Sequence, residues 1–150
     1  MAFPKYIFWR EPLNPKVILY AATGLALVQY LAHAFLFLSA KPTHGPEEPV
    51  VLEAMKSNRF KIGLSPRSYW DLYFGYGLLV ILGGMVEVVI LWQLAAVVNS
   101  YPALIKPFVS MFFIFNIVHA LLVWKYFALL APVIFDLIIA ACMVMVFISL

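Results

Sequence analysis

Charge is what this chain has least of. Only 11% of its 150 residues are Asp, Glu, Lys or Arg, where a soluble globular chain carries about 25%. Cysteine is almost missing as well: Cys142 stands alone, which excludes an internal disulfide framework and leaves the redox compartment open. Enzyme signatures are absent too. There is no Gly-rich phosphate loop, no HExxH, no CxxC and no nucleophile elbow, and the scarce Ser and Thr residues have no base nearby in sequence. These absences point away from an enzyme. No internal repeat is apparent.

What is present is apolar. Hydrophobic residues make up 65% of the chain and aromatics 17%, with a mean hydropathy of +0.99. That abundance excludes intrinsic disorder and places the chain among membrane proteins. A net charge of +3 invites a nucleic-acid reading. The basic residues contradict it, because Lys5, Arg10, Lys16, Lys41, Lys56, Arg59, Lys61, Arg67, Lys106 and Lys125 sit at segment ends and in one loop. Membrane proteins keep their cations there, against headgroups. No nucleic-acid partner is expected; the lipid bilayer is.

Four apolar runs cover about 16–40, 70–98, 105–130 and 132–150. Each reaches or nearly reaches the roughly 20 residues needed to cross about 30 Å of hydrocarbon. The first is too long for a signal peptide and ends in Ser39-Ala40-Lys41-Pro42, so it is expected to be an uncleaved span. Residues 1–15, with Pro4, Pro12, Pro15 and Trp9, read as an interfacial arm. The 41–69 loop opens with KPTHGPEEP, whose prolines and glycine argue against regular structure. It continues as VVLEAMKSNRF, an expected short amphipathic helix at the interface with Val50, Val51, Ala54, Met55 and Asn58 on one face. Ser68 and Asp71 have the spacing of a capping box, with Asp in place of Glu. The links NSYPALIKP and Leu130-Ala131-Pro132 are short, which implies antiparallel neighbours. The expected fold is all-α, a single-domain up-down-up-down four-helix bundle with one interfacial loop helix. The basic residues before the first span favour cytoplasmic termini, although a raw count favours the 41–69 loop inside.

Ionisable groups within a span are functional-site candidates by default. Glu87 and Asn116 each lie eleven residues from the terminal-side end of their runs, about 16 Å deep. His119 is one turn beyond Asn116, and His33 lies deeper, about 25 Å. Gly77, Gly84 and Glu87 share a helical face on which small residues admit a close neighbour. One reading joins His33, Glu87, Asn116 and His119 in a polar pocket, with Glu87 facing His119. The other, which we favour, makes them hydrogen-bonded ties between helices. Haem ligation by His33 and His119 and a metal site using Glu87 are weighed and not expected. A second cluster, Arg67, Trp70, Asp71, Tyr73, Lys125 and Asp136, marks the loop-side mouth. There Arg67 is expected to pair with Asp71, and Lys125 with Asp136, while the aromatics anchor at the interface.

The stretch from Val51 to about Gln93 carries an LEAM segment and then Ser65, Arg67, Ser68, Tyr69, Trp70, Asp71, Tyr73, Gly75, Gly77 and Leu78. This pattern resembles a family of small, uncharacterised bacterial four-helix membrane proteins. The resemblance implies an integral bundle in the bacterial inner membrane and carries no activity. The expected role is therefore a non-enzymatic accessory or structural subunit of a membrane complex, or a homo-oligomer. The alternative is an intrabundle site for a lipid, quinone or haem, and an ion-coupled transporter is weaker still.

Overall fold

The structure is a computed structural model describing residues 14–150; the arm expected over 1–15 lies outside the described residues except for Asn14 and Pro15. The element order is α1 (Pro15–Ser39), α2 (Glu47–Ser57), β1 (Arg59–Ile62), β2 (Ser65–Ser68), α3 (Tyr69–Val97), α4 (Pro102–Phe127) and α5 (Leu130–Ser149). Four helices, α1, α3, α4 and α5, are long and apolar enough to cross a membrane. At 1.5 Å per residue the shortest, α5, spans about 30 Å, the thickness of the hydrocarbon layer. These helices fit a multi-pass membrane protein, and their surfaces agree: Phe35, Leu79, Ile114, Leu121 and Ile148 are all exposed large hydrophobics.

Local chemistry sets the helix ends. Asn14 caps α1, its Oδ1 accepting the Lys16 amide at 3.0 Å, and Pro15 follows at the first helical position, where a missing N–H costs nothing. Ser68 and Asp71 form the expected reciprocal box: the Ser68 amide donates to Asp71 Oδ2 at 2.9 Å and the Asp71 amide to Ser68 Oγ at 3.1 Å. Only four residues, 98–101, separate the end of α3 from Pro102, which opens α4, so most of the expected link is helical, with Pro107 inside it. The α4–α5 link is reduced to Ala128 and Leu129, and Pro132 lies in the first turn of α5.

The 41–69 segment departs from expectation in two ways. Its helix runs from Glu47 rather than Val50, because Pro49 falls in the first turn, where its lacking N–H is tolerated. It also stops at Ser57 instead of running on to Phe60. Asn58 turns extended, its side-chain amide closing on the Ala54 carbonyl at 2.8 Å. None of α2 is buried, and Leu52 and Met55 are half-covered while Val50, Val51 and Ala54 are exposed. At its start the His44 amide donates to Glu48 Oε2 at 2.7 Å, which holds the Glu48 carboxyl below its ordinary pKa. The chain then forms an antiparallel hairpin with Arg59 opposite Ser68 and Ile62 opposite Ser65. Gly63, at φ +59, supplies the positive φ of its two-residue turn. Among the described residues the fold is thus helical with one small ribbon.

The chain divides into two compact units, one made of the described residues up to Thr23 with Leu91–Leu150, the other of Gly24–Ile90. In the first, α4 packs on α5. The buried positions of α4, Ile105, Val109, Phe112, Asn116, Ala120 and Val123, recur at steps of three and four, as one face of a helix requires. Lys106 Nζ near one end lies over the Phe147 ring at 4.7 Å, and His119 near the other meets Asp136, so the two helices are antiparallel. In the second unit, α2 packs on β2.

Ala128 carries the strain of this fold. It is the only described non-glycine residue with positive φ, at +52, and its amide closes the end of α4 on the Val123 carbonyl. A left-handed alanine costs about 1–2 kcal/mol, partly offset in the unfolded chain by the freedom a glycine adds. Ala128→Gly is therefore expected to stabilise the protein by about 0.5–1 kcal/mol, read as a higher thermal midpoint in detergent.

Candidate functional site: two buried polar pairs

Hydroxyl and amide groups on the long helices are largely absorbed by their own backbones. Thr23 Oγ1 donates to the Leu19 carbonyl at 2.7 Å and Ser110 Oγ to that of Lys106 at 3.2 Å. Asn116, a pocket candidate, behaves the same way: buried, it donates Nδ2 to the Phe112 carbonyl at 2.9 Å. This is the economical solution where no water is at hand. Carboxylates have no such option, since they are acceptors and a helix interior offers them no spare N–H. They must find a donor on another segment.

In the Gly24–Ile90 unit that donor is Tyr30. Its hydroxyl donates to Glu87 Oε2 at 2.6 Å, both groups buried. The arrangement depends on Gly84, one turn before Glu87. The Tyr30 ring lies directly against Gly84, where an added Cβ would overlap it. A tyrosine laid along the helix then presents its hydroxyl about one turn further on, at the carboxylate. Seven residues away on each helix the motif repeats, with the Phe37 ring filling the place of a Cβ on Gly77. The face predicted from Gly77, Gly84 and Glu87 therefore exists as two notches holding two rings. Because Tyr30 meets Gly84 and Phe37 meets Gly77, α1 and α3 are antiparallel here.

His33 lies at the edge of this aromatic row. Its ring stacks on Phe37 with centroids 6.0 Å apart and planes 9° apart, and Phe37 continues to Phe74 at 5.5 Å and Tyr73 at 5.7 Å. Trp70 joins through Tyr73 at 5.6 Å, with Lys56 Nζ 4.9 Å above its ring. Trp70 and Tyr73, expected as interfacial anchors, are thus part of a continuous aromatic cluster.

In the other unit the donor is His119. Its Nδ1 lies 2.8 Å from Asp136 Oδ2. The Asp136 side chain is 3% exposed and that of His119 28%, so the aspartate holds a ring that reaches the protein surface. Phe115, one turn earlier, stacks on the imidazole at 5.9 Å and 10°.

Two expected ion pairs are replaced. Asp136 takes His119, and Lys125 extends over the Tyr126 ring at 5.2 Å. Asp136 lies six residues into α5, about 9 Å from its start, beyond the level of a lysine placed near the end of α4. At the loop, Asp71 takes Arg59 Nη2 at 3.7 Å, while Arg67 donates to the Pro66 carbonyl at 3.2 Å. The hairpin register is the cause. It puts Arg59 opposite Ser68, the partner of Asp71 in the cap, and Arg67 opposite Phe60 on the reverse face of the ribbon.

Tyr30 and Arg59 are the residues the sequence reading missed. A seven-residue spacing from Tyr30 to Phe37, matched to the spacing from Gly77 to Gly84, was the available signal for the first. For the second the sequence held no comparable signal, since Ser65–Ser68 reads SPRS and proline is disfavoured in strands. Among the described residues, no three His, Cys, Asp or Glu side chains come together as a metal-binding group.

Adjacent glycines give a discriminating test of the notch. Gly84→Ala drives a Cβ into the Tyr30 ring and is expected to cost about 1–3 kcal/mol, whereas Gly83→Ala meets nothing within 4 Å and is expected to be neutral or mildly stabilising. Thermal unfolding of the two variants in one detergent reads the contrast. By the same assay, Tyr30→Phe is expected to lose about 0.5–2 kcal/mol, and His119→Ala about 1–3 kcal/mol by withdrawing the donor that meets the buried Asp136. Comparison of the chain with protein-family models, with curated proteins and with solved structures finds no match.

Proposed function

We propose that this protein is a non-enzymatic integral membrane protein, an accessory or structural subunit of a membrane complex or a homo-oligomer. One observation supports the reading above others: the carboxylates of the spanning helices are engaged by donors of the same chain, Glu87 by Tyr30 and Asp136 by His119. Carboxylates used as ties give each helix pair a fixed register. The outer surface, rich in exposed Phe, Leu, Val and Ile, is then the part left to act, and apolar surfaces of membrane proteins meet lipid or other spanning helices.

On this reading the four long helices form an up-down-up-down bundle with both termini cytoplasmic, in the bacterial inner membrane, and α2 lies at the interface. The resemblance of the Ser65–Leu78 signature to small bacterial four-helix membrane proteins agrees with this. Purification of the full chain in mild detergent, with native mass measurement and an absorbance spectrum, tests the role. The expected result is a particle heavier than one 17.0 kDa chain, made of further copies or of co-purifying subunits, with only aromatic absorbance. A lone monomer, a Soret band or a stoichiometric quinone would overturn it in favour of a small-molecule site. Glu87→Gln is expected to leave the particle mass unchanged.

A further inference from the structure

The hairpin is explained neither by the polar ties nor by the spanning helices. Its tip residue, Leu64, is 103% exposed and Ile62 beside it 40%. Natural hairpin tips are ordinarily polar, and an uncovered leucine forgoes the whole benefit of burying its side chain. Around this apolar tip the charge is of one sign. Between Ala54 and Trp70 the charged residues are Lys56, Arg59, Lys61 and Arg67, with no Asp or Glu among them. Arg59 is drawn to Asp71 and Lys56 lies over Trp70. Lys61 and Arg67 are exposed, and the register sets them on opposite faces of the ribbon, since Lys61 faces Pro66 and Arg67 faces Phe60.

Position along the ribbon matters as much as charge. Lys61 lies two residues from Gly63, and Arg67 three from Leu64. At about 3.3 Å per residue both cations stand about 7–10 Å behind the tip. An apolar face seated at the headgroup boundary enters it by about 5–10 Å, so a leucine at acyl depth sets both cations at phosphate level. The hairpin is also fastened at the right height. Ser68 ends β2 and Tyr69 begins α3 with no intervening residue, and the Phe60 ring packs on Tyr69 at 4.8 Å, at the start of a helix apolar enough to span.

We propose that the Lys61–Arg67 hairpin is a binding site for anionic phospholipid headgroups, with Leu64 inserted among the acyl chains and Lys61 and Arg67 each meeting a headgroup phosphate on its own face of the ribbon. The site rests on the reading of the chain as membrane-integral. Its occupant is a lipid rather than a soluble phosphate because the tip between the two cations is apolar.

Two measurements on the purified full chain test it. In micelles containing equal phosphatidylglycerol and phosphatidylcholine, native mass spectrometry is expected to show preferential retention of phosphatidylglycerol. Lys61→Gln and Arg67→Gln are each expected to lower that preference about fivefold, while Lys106→Gln, remote in sequence, leaves it unchanged. A spin label on Leu64→Cys, in a Cys142→Ser background reconstituted in bilayers, is expected to lie below the phosphate plane. Equal retention of the two lipids, an undiminished preference in both hairpin variants, or a label exposed to a water-soluble relaxant would overturn the site. The membrane reading fails separately, if the wild-type chain is released from phosphatidylcholine vesicles by an alkaline wash.

Discussion

A polar group placed in hydrocarbon must be satisfied by the protein itself, and the structure depends on this constraint. Without competing water, an unsatisfied donor or acceptor costs several kcal/mol. Short donors such as Thr23, Ser110 and Asn116 meet the requirement within one turn of their own helix. Glu87 and Asp136 reach a different helix to meet it. The same requirement that makes these residues costly makes them specific, because a carboxylate is satisfied in one register and loses its donor when a helix slides or rotates.

Steric fit enforces the same register. Helices that are apolar all round have no amphipathic face to orient them, so small residues and rings take over. Gly77 and Gly84 form notches, Phe37 and Tyr30 fill them, and the Tyr30 hydroxyl lands on Glu87 because its ring is already seated on Gly84. Packing and polar satisfaction are here one contact viewed from two sides. The α4–α5 pair uses a related device, with the imidazole of His119 held by Asp136 and by stacking on Phe115.

Much of this was legible from residue order. Run length and composition locate four helices within a few residues of their observed ends, since spanning a fixed thickness demands a fixed count of apolar residues. Ser68 and Asp71 announce their cap because a capping box is local, closing within three residues. The Gly77–Gly84–Glu87 face follows from helical periodicity alone. The hairpin was not legible: its strands are four residues each, too short for periodicity to separate them from the end of a helix. Arg67 was named for Asp71 on sequence proximity, whereas the strand register decided for Arg59.

Sequence by itself determined that four long segments are helical and lipid-compatible, where they lie to within a few residues, and which few polar residues within them have to be accounted for. These follow from local propensity and from a transfer free energy that sums along the chain without reference to partners. Tertiary structure alone decided who satisfies whom: Tyr30 for Glu87, His119 rather than Lys125 for Asp136, Arg59 rather than Arg67 for Asp71. A hydrogen bond needs its atoms within about 3 Å, and a separation between distant segments is fixed by how helices rotate and strands register, which one-dimensional spacing does not contain.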